Sequence, residues 1–164
     1  MATKSKRKSV SRAKPQDAVA LLKADHRQVA EWFSEFEKAR TASRREHLSA
    51  NICSALRVHT TIEEEIFYPA FLEATGNLSL HHEAVVEHDG AKKLIAEIEQ
   101  MSPSDDYFVA KMTVLSEMIK HHVREEEQAG GMFSQAKKAD MDLVAIGEDL
   151  ARRKNELQGR LRAA

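Results

Sequence analysis

The chain has 164 residues, 31% of them charged and only 5% aromatic, with 6 Gly, 3 Pro and a formal net charge of −1. That length suits one domain with a real core, and the mixture suits a helical protein better than a sheet protein, which draws more on β-branched and aromatic residues. A single cysteine, Cys53, excludes an intramolecular disulfide and fits a reducing compartment. No apolar run reaches the ~20 residues of a membrane span, so a cytoplasmic protein without a membrane partner is expected.

Residues 1–15 come first. Lys4, Lys6, Arg7, Lys8, Arg12 and Lys14 place six positive charges there without an acid. No apolar stretch comes after them, so they are not a secretory leader; they read as a disordered, solvated basic tail. The remainder holds 19 basic against 26 acidic residues. Such an acidic body offers no broad basic face, and no nucleic-acid partner is expected for the core domain.

Pro15 and Asp17 open a helical pattern that runs to about Thr41, with the apolar seam Leu22, His26, Val29, Phe33, Phe36. A second helix spans about Ser43 to Ala74 on the seam Ile52, Leu56, His59, Glu63, Ile66 (or Phe67), Ala70. Pro69 should kink it, and Gly76-Asn77 should stop it. A third, about Ser79 to Met101, carries Val85, His88, Ala91, Ile95 and Ile98. Ser102-Pro103-Ser104 then breaks the chain, and Ser104 or Asp105 is the expected cap of the fourth helix. That helix runs to about Phe133 with Phe108, Met112, Leu115, Ile119, His122, Glu126, Ala129 and Phe133 in the seam. Asp140 is the expected cap of a fifth, with Leu143, Ile146, Leu150 and Leu157 on one side. The fold expected is all-α: an up-down-up-down antiparallel four-helix bundle over residues 16–136. A C-terminal helix within 137–164 packs on it or mediates a homodimer.

Each long helix thus puts a histidine where a core residue belongs, and two add a glutamate one turn later. His26 precedes His59 by 33 residues and His88 precedes His122 by 34; His59-x-x-x-Glu63 recurs as His122-x-x-x-Glu126. A duplicated helix pair would bring all six side chains to one level. Residues i and i+4 share a helix face, so each imidazole–carboxylate pair can address one ion. Four nitrogens and two carboxylates suffice for two metal ions with Glu63 and Glu126 as bridges. Without cations, six buried polar groups would need partners that the seams do not offer. The donor set suits iron, with manganese or zinc as alternatives, and lacks the thiolates of a Cys-type zinc site.

Other polar residues read more plainly. His47 belongs to the surface. His81 and His121 have no counterpart in the other half, although His121-x-x-x-Glu125 is a one-residue register alternative. Glu64, Glu127, Asp25 and Asp89 face solvent or accept hydrogen bonds from the ligands. Cys53 is a small core residue. Tyr68 could reach the metal level, but packing at the bundle end is its plainer role.

"ADHRQVAEWF", "HTTIEEEIFYPAF", "EHDGAKKLI" and "HHVREEEQAGGMF" resemble the hemerythrin-like, or HHE cation-binding, family across residues 17 to 135. The resemblance implies a four-helix bundle with a non-haem di-iron centre held by His26, His59, Glu63, His88, His122 and Glu126. Oxygen-carrying hemerythrins use a fifth histidine in the third helix, where this chain has Ala84 and Lys92, and their last carboxylate is an Asp one residue further on. That departure leaves three roles: a protein that binds or senses O2 or NO, a peroxide-decomposing enzyme, and an iron-responsive interaction module. A ferritin-like centre would need Glu-x-x-His, which occurs nowhere in the sequence.

Overall fold

Asp17 starts the first helix as an N-cap, its carboxylate accepting the amide of Ala20 at 2.8 Å. The computed structural model describes residues 16–163; the basic tail and Pro15 lie outside them. Seven α-helices make up the chain from there: α1 Ala18–Lys38, α2 Ala42–Ile62, α3 Tyr68–Thr75, α4 Leu78–Ile98, α5 Phe108–Glu127, α6 Met132–Lys138 and α7 Leu143–Ala163, with a π-helical turn, Glu63–Phe67, between α2 and α3. No strand occurs among the described residues. α1 packs on α2, α4 on α5, and α1–α5 and α2–α4 contacts close a four-helix ring. This is the expected all-α bundle.

The apolar interior comes in two lobes. One contains Val29, Phe33, Ile52, Leu56, Ile95, Met112 and Leu115. The other contains Leu22, Ile62, Phe67, Tyr68, Met132, Phe133 and Leu150. On α1 the change of lobe falls between Leu22 and Val29, and on α2 between Leu56 and Ile62. Those intervals hold His26 and His59, so the polar seam positions form a belt between the lobes.

Four local expectations are corrected. The second helix is not one kinked helix: the amide of Tyr68 bonds the carbonyl of Glu63, five residues back, which defines the π turn. Pro69 explains it, because its ring would strike the carbonyl four residues back in an α ladder; widening the ladder ahead of it relieves that clash. The fourth helix stops at Glu127 rather than Phe133. The chain leaves it through Gly130, at φ 82°, and Gly131, where a Cβ would lie 2.3 Å from the carbonyl oxygen of Glu125. Ala129 is therefore exposed, and Phe133 reaches the core from α6. Neither Ser104 nor Asp105 caps α5, which has no side-chain cap; Asp105 instead accepts the amide of Ser102 at 2.8 Å and closes the preceding turn. Asp142, not Asp140, accepts the first-turn amide of α7, that of Ala145, at 3.0 Å.

α7 lies along α1 and α2. Leu150 is its fully buried anchor. Gly147 permits the approach, since a Cβ there would stand 2.4 Å from the carbonyl oxygen of Gln16.

Candidate metal centre

The structure brings His26, His59, Glu63, His88, His122 and Glu126 together, all buried. The histidines meet in pairs through Nε2. His26 and His59 are 3.0 Å apart, His88 and His122 3.2 Å. Each glutamate offers one oxygen to each pair. Glu63 lies 3.2 Å from His59 through Oε1 and 3.3 Å from His88 through Oε2. Glu126 lies 3.4 Å from His26 through Oε2 and 3.5 Å from His122 through Oε1.

These groups fit cations better than each other. Glu63 Oε1 and Glu126 Oε2 are buried without a hydrogen-bond partner, a costly state for a carboxylate, and both face the His26–His59 pair. Donors ~2.0–2.2 Å from one ion and at right angles to each other stand about 3 Å apart, which is the spacing found. Without an ion, the site keeps protons. Burial opposes a charge on His59, but Glu63 and Asp25 outweigh it and raise its pKa to about 10. Burial is likewise outweighed at His88 by Glu63 and Glu64, to about 9. Burial raises the pKa of the Glu63 carboxyl, yet His59 and His88 hold it well below the usual range.

The outer nitrogens are ordered as strictly as the inner ones. Each Nδ1–H faces a carboxylate: His26 that of Glu127 at 2.8 Å, His59 that of Asp25 at 3.4 Å, His88 that of Glu64 at 2.9 Å and His122 that of Glu87 at 2.7 Å. A proton fixed on Nδ1 leaves the Nε2 lone pair for a metal. Behind each carboxylate stands a cationic or basic group: Lys23 at Glu127, Lys154 at Asp25, Lys92 at Glu64 and His121 at Glu87.

Glu87 has no signal in the sequence seams. Asp89 is not the partner of Asp25 in the repeat: its side chain is 61% exposed and pairs only with Lys92. The counterpart is Glu87, which precedes His88 as Asp25 precedes His26. Tyr68 is corrected too. Wholly buried, it donates its hydroxyl to Glu126 Oε1 at 2.9 Å, with His88 Nε2 at 3.1 Å and Glu63 Oε2 at 3.4 Å. His121 is 55% exposed and holds Glu87 from outside the belt. His81 sets its ring edge against Tyr68, His47 is exposed beside Asn51, and Cys53 is buried, which pushes its thiol up to about 12.

The family model for the hemerythrin HHE cation binding domain matches residues 17–130. The chain belongs to the hemerythrin HHE family. A solved structure of an HHE cation binding domain-containing protein from Mycobacterium kansasii has the same fold, with a TM-score of 0.73 at 22% identity over 88% of each chain. A curated protein of Nostoc sp., described as a DNA nickase, is 27% identical over 107 residues. Those residues are 65% of this chain and 30% of the relative, so the chain spans about a third of that protein's length. The His/Glu cluster of this HHE domain is compatible with metal binding, and the match ends before α6 and α7 begin.

Two unlike faces border the belt of this HHE protein. Tyr68 closes the side on which the glutamates lie. On the other, the four imidazoles and Val29, Leu56, Ile119 and Val123 enclose a cavity of about 20 Å³, room for one water-sized molecule.

Proposed function

We propose that the domain holds two iron ions, one at His26 and His59 and the other at His88 and His122, with Glu63 and Glu126 shared between them. The observation that carries this reading is the placement of both glutamates with one oxygen toward each histidine pair. Bound iron would supply the redox and ligand-binding chemistry for O2, NO or peroxide. The chain's own part is to fix the Nε2 lone pairs through the outer carboxylates, to exclude bulk water with the two apolar lobes, and to hold a proton on Tyr68 beside Glu126.

The cavity over the imidazoles supports binding or sensing of O2 or NO, since its size admits a diatomic molecule and its walls away from the histidines are mostly apolar. The Tyr68 hydroxyl supports peroxide decomposition as the second reading, because it places an O–H donor among the ligands. Reduced Cys53 and the acidic balance from residue 16 onward support a cytoplasmic protein whose core domain has no nucleic-acid partner.

Anaerobic loading with ferrous iron tests the reading. About two irons per chain are expected, and no binding would overturn it. The di-ferrous protein is then given O2, NO and hydrogen peroxide in turn. A reversible spectrum with O2 or NO identifies the binding protein, and sustained O2 release from peroxide identifies the enzyme. Indifference to all three would leave an iron-responsive module.

A further inference from the structure

α7 lies beyond the segment that the HHE family model matches, yet two consecutive residues tie it to the π turn and to the outer layer of the metal centre. Arg153 donates to both carboxylate oxygens of Glu65, at 2.7 Å from Nε and 3.1 Å from Nη2. Glu65 belongs to the π turn that presents Glu63 and Glu64. Lys154 contacts Oδ1 of Asp25, whose Oδ2 faces His59 Nδ1. One carboxylate therefore spans a lysine of α7 and an imidazole of α2.

The His59 arm differs from the other three in two ways. Lys23, Lys92 and His121 back their carboxylates from within the bundle, whereas Asp25 draws its cation from α7. Its contact with histidine, 3.4 Å, is also the longest of the four, against 2.7 to 2.9 Å elsewhere. A longer, weaker bond constrains a carboxylate less, so the orientation of Asp25 depends more on its other partner.

We propose that Lys154 is a positioning residue of the metal centre: it fixes Asp25, and through Asp25 the ring of His59, while the Arg153–Glu65 pair holds α7 at that level. The proposal rests on the reading that the six inner residues hold metal. Through Asp25, Lys154 acts directly on the His26–His59 half of the centre and not on the His88–His122 half.

The test compares the full chain with Lys154→Met, Lys154→Arg and Arg152→Met, loaded with ferrous iron and then challenged with a chelator. Arg152 is the adjacent cation on α7, with a side chain 68% exposed and paired with Asp149, so its loss controls for charge alone. Replacing the direct acceptor of a ligating histidine costs 10–100-fold in metal affinity; for a residue one step further out, roughly three- to tenfold faster release is expected. Lys154→Met should release one of its two ions that much faster. Lys154→Arg should restore wild-type release, and Arg152→Met should match wild type. Equal loss of both ions, unchanged release, or tighter binding in Lys154→Met would each overturn the proposal; the last would mean that Lys154 acts only as a repelling charge. If wild type takes up no metal, the function proposed above fails separately. Exchange of the His59 Nδ1 proton in metal-free protein then decides: faster exchange in Lys154→Met supports positioning, and equal exchange overturns it.

Discussion

Glu64 accepts the Nδ1–H of His88 at 2.9 Å across the bundle, while its chain neighbour Glu63 turns into the belt. Two adjacent carboxylates thus serve opposite sides of one imidazole layer. Glu127 and Glu126 repeat the arrangement toward His26. The halves of the domain are consequently interlocked: each supplies an outer acceptor for the other's single histidine, while Asp25 and Glu87 serve histidines within their own halves.

Glu87→Gln keeps the shape of the side chain but removes its charge, so the proton on His122 Nδ1 loses its anionic acceptor. Metal affinity should fall by roughly 10- to 100-fold with little change in helix content. Chelator competition with circular dichroism measures both, and unchanged affinity would refute the assigned role.

Tyr68→Phe removes a buried hydroxyl that donates to Glu126. One buried carboxylate oxygen is then left without a donor, at a cost of about 1–3 kcal/mol. At ~2–4 °C per kcal/mol for a chain of this size, the metal-free protein should melt several degrees lower. A calorimetric Tm equal to wild type would show that the hydroxyl does not hold the belt together.

The pH dependence of the metal-free protein has a definite sign. His59 and His88 titrate higher in the folded chain, at about 10 and about 9, than in the unfolded one. A raised folded-state pKa contributes stability that is fully present below the unfolded value and is lost as pH rises through the folded value. Metal-free Tm should therefore decline from about pH 6.5 toward pH 10. Metal affinity should move the other way, since the ions displace the same protons. Denaturation and chelator competition over one pH series test the opposed slopes.

Gly147→Ala would place a Cβ 2.4 Å from the backbone oxygen of Gln16. Backbone cannot swing aside as a side-chain tip can, and overpacking of this kind costs about 1–3 kcal/mol. A lower Tm and faster amide exchange along α7 are expected; wild-type values for both would mean that α7 is not seated by this contact.

The four inner histidines and two inner glutamates were legible because a seam with spacings of 4 and 3 records which face of a helix is buried. Tyr68 was not legible for the same reason. In an unbroken α-helix, residues five apart point about 140° away from each other at ~100° per residue, so Glu63 and Tyr68 cannot share a face. The π turn ahead of Pro69 re-phases the chain and lets both face inward. Glu87 lies outside the seam, as Asp25, Glu64 and Glu127 do, and its only mark in the sequence is that it precedes His88 as Asp25 precedes His26. The end of α5 was misplaced because Phe133 stays in the core, reached by a new helix after a glycine turn rather than by continuing the old one.

The belt also sets how the domain comes apart. It interrupts the apolar interior at mid-height, and the lobe beyond it is built partly from α3 and α6, segments of 8 and 7 residues that are too short to persist alone. In a metal-free chain the lobe with the short helices is expected to open first, and amide exchange would show its protection lost before that of the other lobe. Cations held between the two histidine pairs would tie the lobes together, so loading should protect both alike.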